Sequence, residues 1–541
     1  MSAMALQLSL PPMVGQTAPD VDVAATERWL ANLPVLNVSE TSHQLFMTLS
    51  TLNRRPLDST VLFRILELYR RPIEVVSAEQ QKRYLGLPVP LPMDRRPAAD
   101  RTLQFQVELA YGYKRVVLGL SEHPILTPEA RSALAQAVQR AIRCLTKTLL
   151  RSYEVYAAGP EGTWREIHQL YQFAEAEAVT ELPVADNLNA AVVPSGVAHA
   201  YKQALLLGFS DPFHMPAQLL QKIDIYLDAY APLAQLTLFA DALKPECEFL
   251  VDLEQDRAGV AGGGNADITP QRRYRLLATV ALARTLHQHI TTLRTGAVPD
   301  DALGRNFYSN RGQELLARLI TAWGVNPKRL FSRALKTGTR VEIARGITHI
   351  SRCLGNGSTF VPSTSDVGPQ PARSEISGQQ KESGIYMDRT GGSGESWELL
   401  DEGAGGFSFG TSRAADRPLQ VGDLIAVRLG GEQTAWTIAV VRWARSSTPD
   451  RIEFGAERLA PAAEAVAVVA SDSPGGEFMT ALRLPEIRTL RRPHTLVTPC
   501  GLFRPQRILI LDDGYRSRPV RATRLLNLSS SFEQFEFASP D

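Results

Sequence analysis

Cysteine is scarce in this chain: Cys144, Cys247, Cys353 and Cys500 are the four among 541 residues, and no two form a C-x-x-C pair. That spacing excludes a thiolate metal knuckle, a dithiol redox motif and a secreted disulfide framework. Filling small apolar gaps is the role left to them. Long apolar runs are also lacking. The stretch 203–209 follows Lys202 and runs into Ser210-Asp211-Pro212, well short of the roughly 20 residues a membrane helix needs. The first twenty residues, MSAMALQLSLPPMVGQTAPD, carry no basic residue ahead of their short apolar run, so the form of a secretory leader is missing. A reducing cytoplasm is the compartment these absences favour. Excess charge of either sign is absent too, with 58 Lys+Arg against 57 Asp+Glu. A uniformly basic nucleic-acid binder and a uniformly acidic solvating chain are thereby excluded. Among nine histidines, His287 and His289 stand two apart without a companion glutamate. On a helix they face different ways, so no metal site is expected.

What is present is enough apolar residue, 44%, for packed cores, and a length that calls for several. Residues 1–25 read as a disordered terminus. From 26 to 354 the pattern is amphipathic helix. Thr127 is placed as an N-cap, Pro128 as the first helical residue and Glu129 where the helix dipole favours an anion. Leu134, Val138, Ile142, Leu145 and Leu149 then form one stripe. Leu276, Val280, Ala283, Leu286, Ile290 and Leu293 repeat it, and Leu45, Leu49 and Leu52 give a shorter version. The segment Trp164–Tyr171 has helical-pair character, yet no fixed period establishes a solenoid. One strand is expected at 248–253. Residues 355–396 have a Gly/Ser/Pro-rich linker composition, long enough to hold a binding arm. Beyond them short strand-like runs alternate with turns, which predicts a small antiparallel barrel over 397–470 and a β-rich extension over 471–541. The fold class is multidomain α+β: an all-α array followed by β-barrel structure.

Two motifs tempt a catalytic reading. Gly406-Phe407-Ser408-Phe409-Gly410 fits G-x-S-x-G, but the following segment is polar, ends at Pro418 and leads to another strand. The nucleophile elbow needs a helix there, so the two phenylalanines are read as side chains of a barrel strand. Ala261-Gly262-Gly263-Gly264-Asn265 lacks the Lys-Ser/Thr of a phosphate loop and is read as a hairpin loop. With no nucleophile–base set and no metal cluster, the chain is expected not to be an enzyme.

Four features in order carry a family resemblance. They are Trp397-Glu398-Leu399-Leu400-Asp401 with Glu402-Gly403-Ala404-Gly405-Gly406, then Val421–Ile425, then Val440-Val441-Arg442-Trp443, then Phe454-Gly455-Ala456-Glu457. This block resembles the PilZ family, small bacterial barrels that bind cyclic di-GMP, and the resemblance places that domain on the C-terminal barrel, 397–470. Asp401 and Gly406 match the family's D-x-S-x-x-G turn, whose serine is Gly403 here. The family's R-x-x-x-R arm is met by Arg373, with Ser377 where the second arginine would stand; Arg413 and Arg417 have the spacing but follow the turn. Guanidinium groups suit this ligand because they donate paired bonds to phosphate or to the guanine O6/N7 edge. A carboxylate accepts from the opposite edge of guanine. The resemblance implies a ligand set of Arg373, Asp401, Gly403 and Gly406, with cyclic di-GMP as ligand and no other cofactor.

The tail adds a second candidate. Residues 481–530 hold ten arginines against Glu486, Asp512 and Asp513, so Arg488, Arg491 and Arg492 are further anion-binding candidates. Without interleaved aromatics, nucleic acid is not the expected partner. The stretch 151–190 has the opposite balance, seven acidic residues against two basic. The combined expectation is a non-enzymatic cyclic di-GMP effector that relays through a helical domain docking an unidentified protein. The alternative is an interaction scaffold whose degenerate barrel no longer binds nucleotide.

Overall fold

The computed structural model describes residues 6–14, 22–122, 127–186, 188, 195–239, 243–244, 246–262, 268–269, 272–309, 311–324, 333–363, 394–411, 418–430, 435–448, 451–472, 476–487 and 492–540. They fall into two compact units, one of residues 1–86 and 91–328, the other of 87–90 and 329–541.

The first unit is the helical array. Its helices are α1 (Val23–Ala31), α2 (Val38–Leu52), α3 (Ser59–Gln81), α4 (Arg96–Ser121), α5 (Pro128–Tyr153), α6 (Thr163–Ala176), α7 (Val197–Gly208), α8 (Ala217–Tyr230), α9 (Val280–Arg294), α10 (Gly304–Tyr308) and α11 (Gly312–Gly324). Helix α5 starts as its sequence directs, with Thr127 Oγ1 accepting from Ala130 N at 3.3 Å and Pro128 in the first turn. Its stripe from Leu134 to Leu149 is buried in one continuous core with α3, α4 and α7. Residues 6–14 are held against this array. Ser9 N donates to Glu166 Oε1 at 2.5 Å, and the buried Lys114 Nζ reaches Glu166 Oε2 at 2.7 Å and Ser9 Oγ at 3.1 Å.

The strand expected at 248–253 is present, but within a four-stranded antiparallel sheet ordered β1-β4-β2-β3. The strands are β1 (Gln235–Leu238), β2 (Glu248–Asp252), β3 (Val260–Ala261) and β4 (Tyr274–Ala278). This shortens the second helical stripe. Leu276 lies in β4, opposite Thr237 and Leu250, and Val280 is 45% exposed, so only Leu282, Leu286 and Ile290 form the buried face of α9. Residues 274–278 pair on both sides, with β1 and β2, in place of extending the helix.

The second unit is built of two closed six-stranded antiparallel barrels. The first contains β5 (Arg333–Arg345), β6 (Glu395–Gly403), β7 (Gly406–Thr411), β8 (Leu424–Leu429), β9 (Thr437–Thr448) and β10 (Arg451–Ala460), in the order β10-β7-β6-β5-β8-β9. Its opening strand comes from the stretch read above as helical. The second contains β11 (Glu464–Ala470), β12 (Met479–Leu484), β13 (Thr495–Thr498), β14 (Ile508–Asp512), β15 (Ser517–Leu528) and β16 (Glu533–Ala538), in the order β11-β12-β13-β16-β15-β14. Helix α12 (Ile347–Leu354) joins them. Its Ile347, Ile350 and Cys353 share a core with Leu424, Ile438 and Val440 of the first barrel and Leu482, Leu484 and Phe532 of the second.

Past α12 the chain is tied to the second barrel at Ser363. Its N and Oγ donate to the buried Asp512 carboxylate at 3.0 and 2.6 Å, alongside Gly514 N at 2.8 Å and Ser517 Oγ at 2.5 Å. Burial alone would raise the pKa of Asp512, but the Ser363 and Ser517 bonds outweigh it and bring it down to about 2. A depressed carboxylate stabilises the fold above its unfolded value near 4. This contribution is lost as pH falls from about 4 towards 2. Asp512→Ala is expected to cost about 2–4 kcal/mol by stranding these donors and to flatten the acid limb of a stability–pH curve; thermal melts between pH 2 and 7 check both.

Candidate functional site

The Asp401–Gly406 motif is the β6–β7 hairpin. Gly403 and Gly406 are its last register pair, with Ala404 and Gly405 at the tip; Glu402 faces Phe407 and Asp401 faces Ser408. A bulge between Leu399 and Asp401 re-aims the strand just before the turn. Asp401 is half-buried, and on its other side its register partner is Leu335 of β5. The structure thus brings Asp401, Gly403 and Gly406 together on one edge of the first barrel.

Below the hairpin the barrel is aromatic. Trp397 and Phe409 each meet Phe454 with ring centroids 5.0 Å apart, and Phe407 stands 5.7 Å from Phe409. Gly406 is glycine for a steric reason. A Cβ there would lie 2.0 Å from the carbonyl oxygen of Ala456 on β10.

One functional candidate was missed by sequence reasoning. Arg458 lies one residue beyond the Phe454–Glu457 block, and its backbone N donates to Gly405 O at 3.0 Å. Its Nη2 reaches Glu402 Oε1 at 3.3 Å, and its guanidinium sits 4.6 Å over the Phe407 ring. Its Nε is buried with no hydrogen-bond partner. A cation from β10 therefore packs on the hairpin that carries Asp401, its charge paired with Glu402. The signal was available as an arginine ending a strand that pairs with the motif turn.

The other candidates are dispersed. Arg373, Arg488 and Arg491 lie outside the described residues, as do Arg413 and Arg417. Arg492 is exposed in the second barrel, where it bridges to Ile487 between β12 and β13. Part of the arginine density of the tail is answered within that barrel: Arg483 pairs with Glu464, Arg507 with Asp472 and Arg524 with Glu536. The acidic stretch of the helical unit is likewise answered internally, Glu166 by Lys114, Glu175 by Arg275 and Asp186 by Arg70.

Ser408 is 3% exposed and lies mid-strand, paired with Asp401 and Gly455, which is not the strand-to-helix turn of an elbow. His168 is buried; desolvation pulls it down to about 4, and it bonds to Tyr201 at 2.7 Å and to the Arg257 carbonyl at 2.9 Å as a structural link. Among the described residues no cluster of three His, Cys, Asp or Glu side chains is disposed to hold a metal. Among them, no helix is long and apolar enough to cross a membrane.

Comparison with known proteins follows the same division. Residues 24–242 match the N-terminal domain described for the cyclic-di-GMP receptor FimW, and 373–465 match its middle PilZ domain. The middle barrel is a PilZ domain. Residues 465–539 match a separate domain, the FimW C-terminal β-barrel. This corrects the placement of the PilZ resemblance on the C-terminal barrel: the PilZ domain lies in the middle of the chain, and a distinct barrel ends it. The strand-like runs look continuous in sequence, yet β11, which was included in the PilZ block, pairs with β12 and β14. The cyclic-di-GMP receptor FimW of Pseudomonas aeruginosa is 26% identical, over 95% of this chain and 90% of its own. No solved structure is significantly similar. An all-α array, a PilZ domain and a second barrel, in this order, make up a bacterial signal-transduction protein.

Proposed function

We propose that this chain is a non-enzymatic receptor for cyclic di-GMP acting in the bacterial cytoplasm, with the nucleotide held at the PilZ hairpin and its binding relayed through the helical unit to a protein partner. The observation that carries this is the order of the three domain matches, each aligned with the corresponding region of a cyclic-di-GMP receptor. In this reading Asp401 accepts from the N–H edge of guanine. Arg373, at the first residue of the PilZ match, donates to phosphate or to guanine O6/N7. Gly406 lets the turn approach β10, and Arg458 supplies the cation under the hairpin that the missing second arm arginine would have supplied. Arg488, Arg491 and Arg492 are secondary anion contacts.

Gly403 in place of the family serine removes one hydroxyl. A hydrogen bond to a charged group is worth about 1.5–3 kcal/mol, so affinity is expected to lie about tenfold to a hundredfold below that of a complete motif. That vacancy also favours the second reading, a scaffold that keeps the barrel for protein contact. Calorimetric titration of the full chain separates the two. Saturable heat is expected, weakened at least tenfold by Asp401→Ala, Arg373→Ala or Arg458→Ala, while Gly403→Ser tightens it. No heat at high micromolar nucleotide leaves the scaffold.

A further inference from the structure

Four residues of the connector between α3 and α4, Leu87-Pro88-Val89-Pro90, belong to the second unit, although both of their flanks belong to the first. The chain therefore passes between the units at 86–87, at 90–91 and again at 328–329. This excursion is stiff by sequence. Pro88 and Pro90 have fixed φ and no N–H, and each holds the residue before it extended. Val89 between them makes an antiparallel bridge: its N donates to Leu419 O at 2.8 Å, and Leu419 N donates to Val89 O at 2.8 Å. Both side chains are buried. Each end of the excursion is anchored in the helical unit. On the α3 side the buried Tyr84 donates from Oη to Glu154 Oε2 at 2.7 Å. On the α4 side the carbonyl of the buried Leu91 accepts from Arg96 Nε at 3.0 Å.

Within the PilZ domain both strands of the Asp401–Gly406 hairpin lead to Leu419. One route is the chain itself, because Leu419 lies in the segment joining β7 to β8. The other runs through side chains from β6. Trp397, whose ring packs on Phe454 beneath the hairpin, donates from Nε1 to Glu395 Oε2 at 3.3 Å. Glu395 pairs with Arg345 of β5, and Arg345 Nη1 donates to the carbonyl of Pro418, the neighbour of Leu419. Past Leu419 the turn is tied down by Gln420 N, which donates to Asp423 Oδ2 at 2.9 Å. Direct contacts thus connect the hairpin strands to Leu419, and through it to Val89.

We propose that the Val89–Leu419 bridge is the coupling element through which the PilZ domain acts on the helical unit. Nucleotide held at the hairpin changes how tightly Leu419 holds the Pro-Val-Pro excursion, and the ends of α3 and α4 that carry the excursion respond. This inference rests on the nucleotide reading proposed above and names where its signal leaves the PilZ domain. A bridge of two hydrogen bonds suits the role, because it can open locally while both cores stay folded. Coupling is reciprocal, so a bridge that responds to nucleotide also biases nucleotide affinity.

The test is hydrogen–deuterium exchange of the full chain with and without cyclic di-GMP, with calorimetry on the same samples. In wild type, saturating nucleotide should change exchange at the Val89 and Leu419 amides by at least about fivefold, the lower end of coupling between linked sites. A change in residues 82–86 and 91–96 should accompany it. Val89→Pro removes the donor to Leu419 O, and Arg345→Gln cuts the side-chain route from β6. Each variant should keep saturable nucleotide heat and lose the response in 82–86 and 91–96. Because the two lie in different units, one still decides the matter if the other fails to fold. Nucleotide heat in wild type with no change at 82–96, or a change that survives undiminished in either folded variant, would overturn the bridge and leave the receptor reading standing. Absence of nucleotide heat in wild type would overturn both.

Discussion

Gly406→Ala is expected to open the β6–β7 hairpin and to abolish the nucleotide binding proposed for the PilZ domain. The added Cβ would be placed 2.0 Å from the Ala456 carbonyl oxygen, and a backbone oxygen in a paired strand has no rotamer by which to withdraw. Either β7 parts from β10 at the Gly406–Glu457 register pair or the turn is rebuilt. Overpacking a core typically costs about 1–3 kcal/mol; a clash with backbone at this distance is placed at about 3 kcal/mol or more. The Arg458–Glu402 contact would go with it, because Arg458 N is held by Gly405 O. Gly410→Ala is the control: its Cβ would meet the flexible Leu400 side chain at 3.3 Å, and the barrel should melt within a few degrees of wild type. Thermal melts monitored by near-ultraviolet circular dichroism, where the Trp397–Phe409–Phe454 cluster reports, distinguish the two. An unchanged melt for Gly406→Ala would show that the turn is not held in this register.

Glu154→Ala is expected to be the most damaging single substitution in the helical unit. The carboxylate is fully buried at the end of α5, where Arg151 Nη1 donates to it, Gln81 Nε2 donates at 3.1 Å and Tyr84 Oη at 2.7 Å. Removing it leaves the Arg151 charge and the Gln81 amide unanswered in the interior, while Tyr84 Oη keeps Thr102 Oγ1 at 3.0 Å. Breaking a buried pair from one side costs about 3–5 kcal/mol, a large fraction of the stability of an ordinary domain. Glu154→Gln should be intermediate, since an amide still accepts from Tyr84 but offers Arg151 no charge. In a thermal scan of the full chain the helical transition should fall by on the order of 10 °C with the barrel transition in place. A shift in the barrel transition instead would mean that the two units do not unfold separately.

Local chemistry was read well wherever one element satisfied its own pattern. The capped stripe of α5 and the order of the strands from Trp397 onward follow from spacing, because a helix face and a hairpin register are set over a few residues. Leu276 shows the limit. It extends the period of α9 convincingly, yet β1 and β2 compete for it, and that competition is between segments far apart in sequence. The PilZ motif shows the same division. Asp401, Gly403 and Gly406 share a hairpin and were legible together. Arg458 reaches that hairpin only through the β7–β10 ladder, 52 residues after Gly406 in sequence, so only the barrel closure reveals it.

Scarce cysteine, short apolar runs and balanced charge were decided by the sequence alone, and so was the change from helical to strand periodicity. Composition cannot say how the charges are spent. The acidic stretch and the arginine-rich tail each look like a surface awaiting an opposite partner. In three dimensions each finds part of its partner inside its own unit, Glu166 at Lys114 and Arg507 at Asp472, because bringing opposite charges together as the chain folds offsets part of the cost of drying them. Tertiary structure also decided the number of barrels. Strand-like runs are alike to either side of Ala460, and only the pairing of β11 with β12 and β14 ends the PilZ domain there.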